Sequence, residues 1–220
     1  MSHLQKILGI SSPPLGVTLL EAGVADIRTH GRLGAELSDF LKLKNGLYAF
    51  ESALHIFPAH RAANGWSLDE WNADNLWRCE YHGLTKGLLF FAEEAFGNQF
   101  CLRDDAICFF DSETGECREL ADSFEAWAKV ILEDYEFQTG YPLLHEWQKE
   151  HGPLSESQRL VPKYPFVLGG EYKLENLIAM DSMRAMQARG NIARQIKDVP
   201  EGGEVEICLE EYPPNAARDG

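Results

Sequence analysis

The sequence predicts an α+β fold in which a central, mostly antiparallel sheet is covered by helices. Three short apolar segments follow one another closely, at residues 88–92, 99–102 and 107–110, and residues that favour turns separate them. From Phe124 onward the apolar residues instead recur every three or four positions, as on one face of a helix. A set of neighbouring strands followed by a covering helix is typical of the α+β class.

The elements before these strands begin with one helix. Its apolar residues have helical spacing; they are Leu33, Leu37, Phe40 and Leu41. Asn45-Gly46 is expected to end the helix through a left-handed cap. Residues 47–57 predict a strand with a short break at Glu51-Ser52. The residues before Arg32 are weakly patterned, and one strand is expected there, at 17–20.

A second helix is predicted at residues 68–77. Ser67 and Glu70 have the spacing of a capping box, in which each side chain bonds the backbone N–H of the other residue. This helix would bury Leu68 and Trp71. Its tryptophans are expected to anchor the core, because large aromatic side chains serve that role more often than they bind ligands.

Residues 88–92 are apolar at every position, which predicts an interior strand covered on both faces. A further short strand is expected at 117–120. The closing helix would run from about 124 to 135, with Trp127 and its apolar neighbours against the sheet. Asp122 and Glu125 are predicted to form its capping box.

Downstream of this core, assigned to residues 1–135, we expect a connecting arm at 136–163 with one short helix at 143–150. Residues 164–212 predict a β-helix-β extension that joins the core sheet or packs beside it. Its helix is expected to begin at Asp181 and to break at Gly190-Asn191, and its last strand to lie at 205–209. The length allows one compact domain or a core with an extension.

The chain is strongly acidic, with 35 Asp and Glu, 20 Lys and Arg, and a net charge of −15. Nucleic acid is disfavoured as a partner, because affinity for it depends on neutralising phosphates with basic side chains. Residues 93–135 hold twelve acidic and three basic residues and so carry −9 of the total. This segment is either an acidic face that attracts a basic partner or an ordinary solvated exterior.

The sequence lacks the common catalytic and cofactor motifs. It contains no GxSxG, GxGxxG or GxxxxGK[ST] pattern, so we expect no enzyme activity and no cofactor. His145 and His151 are six residues apart, whereas a helical zinc site of the HExxH type needs histidines four apart, so no metal site is expected. His55 and His60 have no nucleophile in a recognisable setting nearby.

The cysteines and the hydrophobic runs indicate where the protein works. Five cysteines without a CxxC pair predict free thiols, with Cys101 and Cys108 buried in strands. No apolar run has the quality of a signal peptide or the length of a membrane span. We therefore expect a cytoplasmic protein that does not enter a membrane.

Three features of the chain occur in a fixed order: a helix that ends in Asn45-Gly46, the Phe-Ala-x-x-x-x-Gly-Asn pattern from Phe91 to Asn98, and the Ser-Phe-x-x-Trp pattern from Ser123 to Trp127. In this order and spacing they resemble the SUKH superfamily of bacterial toxin-immunity proteins, which also includes a yeast regulator of cell-wall assembly. Together they cover residues 33–135. The resemblance implies a SUKH-like α+β fold that acts by binding another protein.

This resemblance favours the acidic-face interpretation and implies a cognate toxin as the partner, basic in charge. Six acids in or beside the predicted turns are the candidate partner-binding residues, on the assumption that they are exposed: Glu93, Glu94, Asp104, Asp105, Glu113 and Glu116. The alternative is an intracellular regulatory or scaffold protein of the same fold without a toxin partner. The sequence leaves the toxin's identity and the oligomeric state open.

Overall fold

The computed structural model of the protein describes residues 1–20, 23, 25–60, 65–200 and 203. Its central feature is a six-stranded antiparallel sheet in which the strands lie side by side in chain order. The strands are β1 Leu47–Ala49, β2 Leu54–Ile56, β3 Leu89–Glu94, β4 Gln99–Arg103, β5 Ala106–Phe110 and β6 Cys117–Ala121. The predicted α+β fold is confirmed, and β3 is the interior strand that its apolar sequence predicts.

A smaller antiparallel sheet pairs β7 with β8. Helices and short 3₁₀ turns make up the rest of the regular structure. The helices are α1 His3–Ile10, α2 Ala25–Arg28, α3 Gly31–Leu43, α4 Leu68–Trp71, α5 Phe124–Glu133, α6 Tyr135–Thr139, α7 Tyr141–His151 and α8 Ser182–Ile196; β7 is Gln158–Pro162, β8 is Leu177–Asp181, and the 3₁₀ turns are Arg78–Tyr81, Phe166–Leu168 and Leu174–Asn176.

Aromatic contacts cover both faces of the large sheet. On one face α5 places Trp127 with its ring centre 5.4 Å from that of Phe91 in β3, as the helical spacing predicts. On the other face the segment after α4 places Trp77 5.0 Å from Phe90, and Tyr81 also packs there. These side chains are fully buried. The sheet is therefore the centre of the main core.

The N-terminal expectations need correction. Residues 17–20 form no strand, and the sequence analysis missed α1, which begins with a capping box of Ser2 and Gln5. The predicted Asp122–Glu125 capping box is also wrong. Ser123 caps α5, and the Glu125 carboxylate instead accepts the backbone N–H of His3 at 2.7 Å and that of Leu4 at 3.2 Å. Glu125 thus holds the start of α1 on α5.

The segment predicted as one interrupted strand is a hairpin of β1 and β2. The chain reverses at Phe50, Glu51 and Ser52, which have φ angles of 52°, 53° and 77°. Non-glycine residues adopt such angles rarely, so the break predicted at Glu51-Ser52 did not indicate a reversal of the chain. The Ser67–Glu70 capping box is confirmed, but α4 is shorter than predicted.

In the C-terminal part, α8 begins at the predicted place and is capped by Asp181. The predicted break at Gly190-Asn191 is wrong, since α8 continues through both residues. A Cβ at Gly190 would lie 2.8 Å from a ring carbon of Tyr81, so the glycine allows close packing of α8 on the core. The predicted strand at 205–209 lies outside the described residues.

The sequence analysis also missed β7, within the segment expected to be a connecting arm. The β7–β8 sheet lies beside the large sheet and touches it where β3 ends, because the Leu160 N–H donates to the Ala95 carbonyl at 3.0 Å. A second, smaller cluster of buried side chains surrounds this contact; it includes Ala95, Phe96, Leu144, Trp147, Leu160 and Leu177. This cluster joins the C-terminal segments to the β3–β4 turn.

Candidate functional site

The six candidate acids lie at two opposite ends of the large sheet. Antiparallel pairing puts the β4–β5 turn, with Asp104 and Asp105, at one end, which we call the open end. The β3–β4 turn that follows Glu94, and the β5–β6 turn that contains Glu113 and Glu116, lie at the other end, which we call the covered end. The structure therefore does not bring the six acids together on one face.

Exposure also divides the six acids. Asp104, Asp105 and Glu116 are exposed, as predicted. The expectation of exposure is wrong for the other three, since Glu93 is 1%, Glu94 3% and Glu113 5% exposed. Segments from the C-terminal part of the chain cover them, and these segments bring two buried arginines, which are described next.

Arg159 in β7 and His55 in β2 meet the carboxylate of Glu93. The Arg159 Nη2 atom and the His55 Nδ1 atom lie 2.6 Å and 2.9 Å from the same oxygen, Glu93 Oε1. Burial raises the pKa of Glu93, but the positive charge of Arg159 and the His55 hydrogen bond outweigh it, and the pKa falls below its ordinary value. Burial lowers the pKa of His55, so a neutral ring donates its Nδ1–H to the carboxylate.

A histidine beside a carboxylate is also a common catalytic pair, but this pair is enclosed. The side chains of His55, Glu93 and Arg159 are each 3% exposed or less. The ring of Tyr48 covers them further, stacked on His55 at 4.4 Å, with Arg159 5.8 Å from its centre. A substrate cannot reach these groups in this conformation, and the observed contacts join β7 to the core sheet.

The second buried arginine, Arg189 in α8, lies beside the β3–β4 turn and donates to the Phe96 carbonyl. Within that turn the Glu94 carboxylate accepts the N–H groups of Phe96 and Asn98, at 3.0 Å and 2.9 Å. Burial raises the pKa of Glu94 to about 7. Glu113 is tied to the C-terminal part as well, because its carboxylate accepts the Val167 N–H at 2.8 Å.

A groove of about 380 Å³ opens between the covered end and the α6–α7 segment, and a recess of about 210 Å³ continues it toward Val167. We call the two together the junction groove. They share the side chains of Phe96, Asn98, Asp111 and Tyr172. Phe137, which is 75% exposed, and Tyr172, which is 61% exposed, stand at its rim.

The junction groove has more negative than positive groups along its walls. The acids are Glu94, Asp111, Glu113 and Glu136, and the bases are Arg118 and Arg189. The sequence analysis assigned no role to Phe137 or Tyr172. Neither residue belongs to an alternating pattern typical of a strand or to a helical apolar pattern. Only the folded structure therefore shows that they border the same groove.

Two further kinds of feature concern the described residues, a metal-ligand cluster and a membrane-spanning helix. Across residues 1–20, 23, 25–60, 65–200 and 203, no group of three or more His, Cys, Asp or Glu is placed to hold a metal ion. Cys101, Cys108 and Cys117 lie near one another in β4, β5 and β6 as free thiols. No helix in the described part of the chain has the length and apolarity needed to cross a bilayer.

Comparisons with known proteins agree with this architecture. The sequence model of the SMI1/KNR4 family (SUKH-1) matches residues 30–129, which run from the start of α3 into α5. Among solved structures, the crystal structure of Atu4351 from Agrobacterium tumefaciens is similar, with a TM-score of 0.54 and 15% identity over 83% of this chain and 86% of that chain. At this identity the likeness concerns the fold alone. No curated protein matches the chain.

Proposed function

We propose that this chain, which belongs to the SUKH superfamily through residues 30–129, is a non-catalytic immunity protein that neutralises a cognate bacterial toxin by direct binding. The family match is the observation that carries the proposal. The resemblance of the Asn45-Gly46, Phe91–Asn98 and Ser123–Trp127 motifs points to the same role. Such a protein works in the cytoplasm of the cell that it protects.

Electrostatics supports a basic partner. The net charge of −15 gives the protein a negative field, and opposite charge on a partner raises the association rate more than it strengthens the final complex. Asp104 and Asp105 at the open end project charge into solvent, and Glu116 does so at the covered end. In this proposal these three acids guide the toxin during encounter.

Co-expression tests the proposal. If a neighbouring gene encodes a large secreted protein, the C-terminal domain of that protein is the toxin to test. We expect cells that produce this domain to grow only when the protein is also produced, and the purified pair to form a complex of simple stoichiometry. An unrelated SUKH protein, produced at the same level, is the control and should not rescue growth.

Two outcomes would overturn the proposal. The first is that the toxin still kills the cells, and no complex forms, when both proteins are folded and abundant. The second is rescue by far less protein than toxin together with a covalent change in the toxin, which would indicate catalysis. If the protein instead binds a non-toxic protein of its own cell, the regulatory or scaffold alternative is favoured.

A further inference from the structure

We infer that the junction groove is the contact site for the partner. It binds an arginine or lysine side chain of the partner together with a neighbouring apolar side chain. This inference rests on the proposed function and deepens it, because it names the part of the surface that is contacted and the chemistry of the contacting segment. The groove is separate from Asp104 and Asp105, which lie at the opposite end of the sheet.

The first support is exposed aromatic surface on two unconnected segments. Phe137 lies in α6 and Tyr172 precedes β8, yet both border the larger part of the groove. Val167, which lines the recess next to Tyr172, is 40% exposed. Large apolar side chains that gather in one exposed place mark interaction sites in soluble proteins. Aromatic residues also supply much of the binding energy at protein interfaces.

The second support is that the groove is already formed. Tyr172 stacks on Phe166 with 3.8 Å between ring centres and 7° between ring planes, and its ring also meets that of Phe96 at 5.9 Å. The buried ring of Phe96 closes the base, and Gly140 makes room for it, because a Cβ there would lie 2.5 Å from that ring. A site that needs no rearrangement loses less entropy when a partner binds.

The third support is charge. Asp111 and Glu136 line the groove in addition to the buried Glu94, and Arg118 is the only basic side chain among the residues that line its larger part. Arg118 lies over the ring of Phe109, 5.9 Å from its centre. A phosphate or a carboxylate would meet net negative charge here. Arginine or lysine would meet carboxylates at its charged end and aromatic rings along its stem.

The test uses the toxin identified by the rescue experiment and two sets of variants. Phe137→Ala with Tyr172→Ala should speed dissociation of the complex about tenfold or more, since lost contacts act mainly on dissociation. The matched control is Tyr164→Ala with Ile10→Ala, which removes side chains that are 56% and 55% exposed and do not line the groove. Equal effects of the two pairs would overturn the inference, as would no effect of either.

A second measurement does not need the toxin. The probe is N-acetyl-Leu-Arg-Leu-amide at millimolar concentration, with N-acetyl-Leu-Glu-Leu-amide as control, observed through backbone amide shifts in NMR spectra. We expect saturable shifts at Asp111, Gly140 and Tyr172 with the arginine peptide alone, and their loss in the Phe137→Ala, Tyr172→Ala protein. Scattered shifts, or equal shifts with both peptides, would overturn the groove assignment even if the protein rescues cells. Failed rescue with intact peptide binding would overturn the toxin proposal alone.

Discussion

The two ends of the large sheet both carry acids on their turns, but the surroundings of these acids differ. At the open end Asp104 and Asp105 are exposed on the β4–β5 turn. At the covered end Glu93 and Glu94 are buried beneath segments that contain Arg159 and Arg189. An acidic sequence segment therefore does not identify an acidic surface, because distant parts of the chain determine which carboxylates remain exposed to water.

This difference separates two physical roles. A buried carboxylate paired with arginine makes the folded state depend on its partner, because removal of the arginine leaves a buried charge without compensation, and its charge acts on close neighbours. An exposed carboxylate contributes little to stability, but its charge extends into solvent over about a Debye length, roughly 10 Å at 0.1 M salt. The buried acids of the covered end should therefore dominate stability. The exposed acids, Asp104 and Asp105 at the open end and Glu116 at the covered end, should affect the rate of encounter.

The largest expected effect is on stability at the covered end. Arg159→Ala should lower the free energy of unfolding by about 3–5 kcal/mol, because the buried carboxylate of Glu93 loses its positive partner and keeps only the hydrogen bond from His55. The matched control is Arg103→Ala, which breaks the exposed pair with Glu119 at 3.1 Å and should cost about 1 kcal/mol or less. Urea denaturation measures both. Equal losses would contradict the distinction between the two ends.

A smaller effect is expected in the dependence of stability on pH. Burial raises the pKa of Glu94 in the folded protein from 4.5 to about 7. Between these values the folded state binds a proton that the unfolded state lacks, so stability should fall as pH rises through this window and level off above it. The contribution is about 3 kcal/mol, at 1.36 kcal/mol per pKa unit.

Glu94→Gln should remove most of that slope. Urea denaturation at pH 5 and at pH 8 gives the stability lost between the two pH values, and this loss is compared between variant and wild type. The difference isolates Glu94 from Glu113, whose pKa burial also raises. Asp105→Asn at the open end is the control and should keep the wild-type slope. A Glu94→Gln protein that loses as much stability as wild type between pH 5 and pH 8 would show that Glu94 ionises normally.

The smallest effect on stability is expected at the open end. Asp104 has a φ of 51°, which asparagine tolerates better than lysine, so the charge is best changed with Asp104→Asn and Asp105→Lys. The free energy of unfolding should change by about 0.5 kcal/mol or less. At about 0.01 M salt the Debye length is roughly 30 Å, so the charge at the open end still acts on a partner that binds at the covered end. Under this condition association with the toxin should slow about threefold or more, with little change in dissociation. Stopped-flow mixing at two salt concentrations measures the association rates of the variant and of wild type. If the two proteins associate at the same rate at both salt concentrations, these acids do not steer the toxin.

Much of the large sheet could be predicted because its signals are local. The turn-favouring residues at Gly97-Asn98 and Asp104-Asp105 separate the predicted strands, and the helical spacing around Trp127 places α5 on the sheet. The reversal at Phe50 could not be predicted, since its positive φ angles depend on the surrounding structure and not on a turn sequence. Gly190 is similar. In the sequence a glycine followed by asparagine indicates the end of a helix, whereas in the structure Gly190 lets α8 pack closely on Tyr81.

The candidate site was harder to predict, because its contacts join residues far apart in the chain. Glu93 and Glu94 end a strand and precede a turn, which normally indicates exposure. Their burial depends on Arg159 and Arg189, and the sequence analysis assigned those segments no contact with β3. The junction groove combines Phe137 and Tyr172, which share no motif. Local patterns therefore predicted the sheet but not which of its ends is covered.

Chemical labelling of carboxylates tests the difference between the two ends most directly. Carbodiimide with glycine ethyl ester modifies exposed carboxyl groups, and mass spectrometry gives the rate at each residue. We expect fast labelling of Asp104 and Asp105, strong protection of Glu93 and Glu94, and equal labelling of all four in urea. Fast labelling of Glu93 and Glu94 in the native protein, at the rates of Asp104 and Asp105, would contradict this expectation.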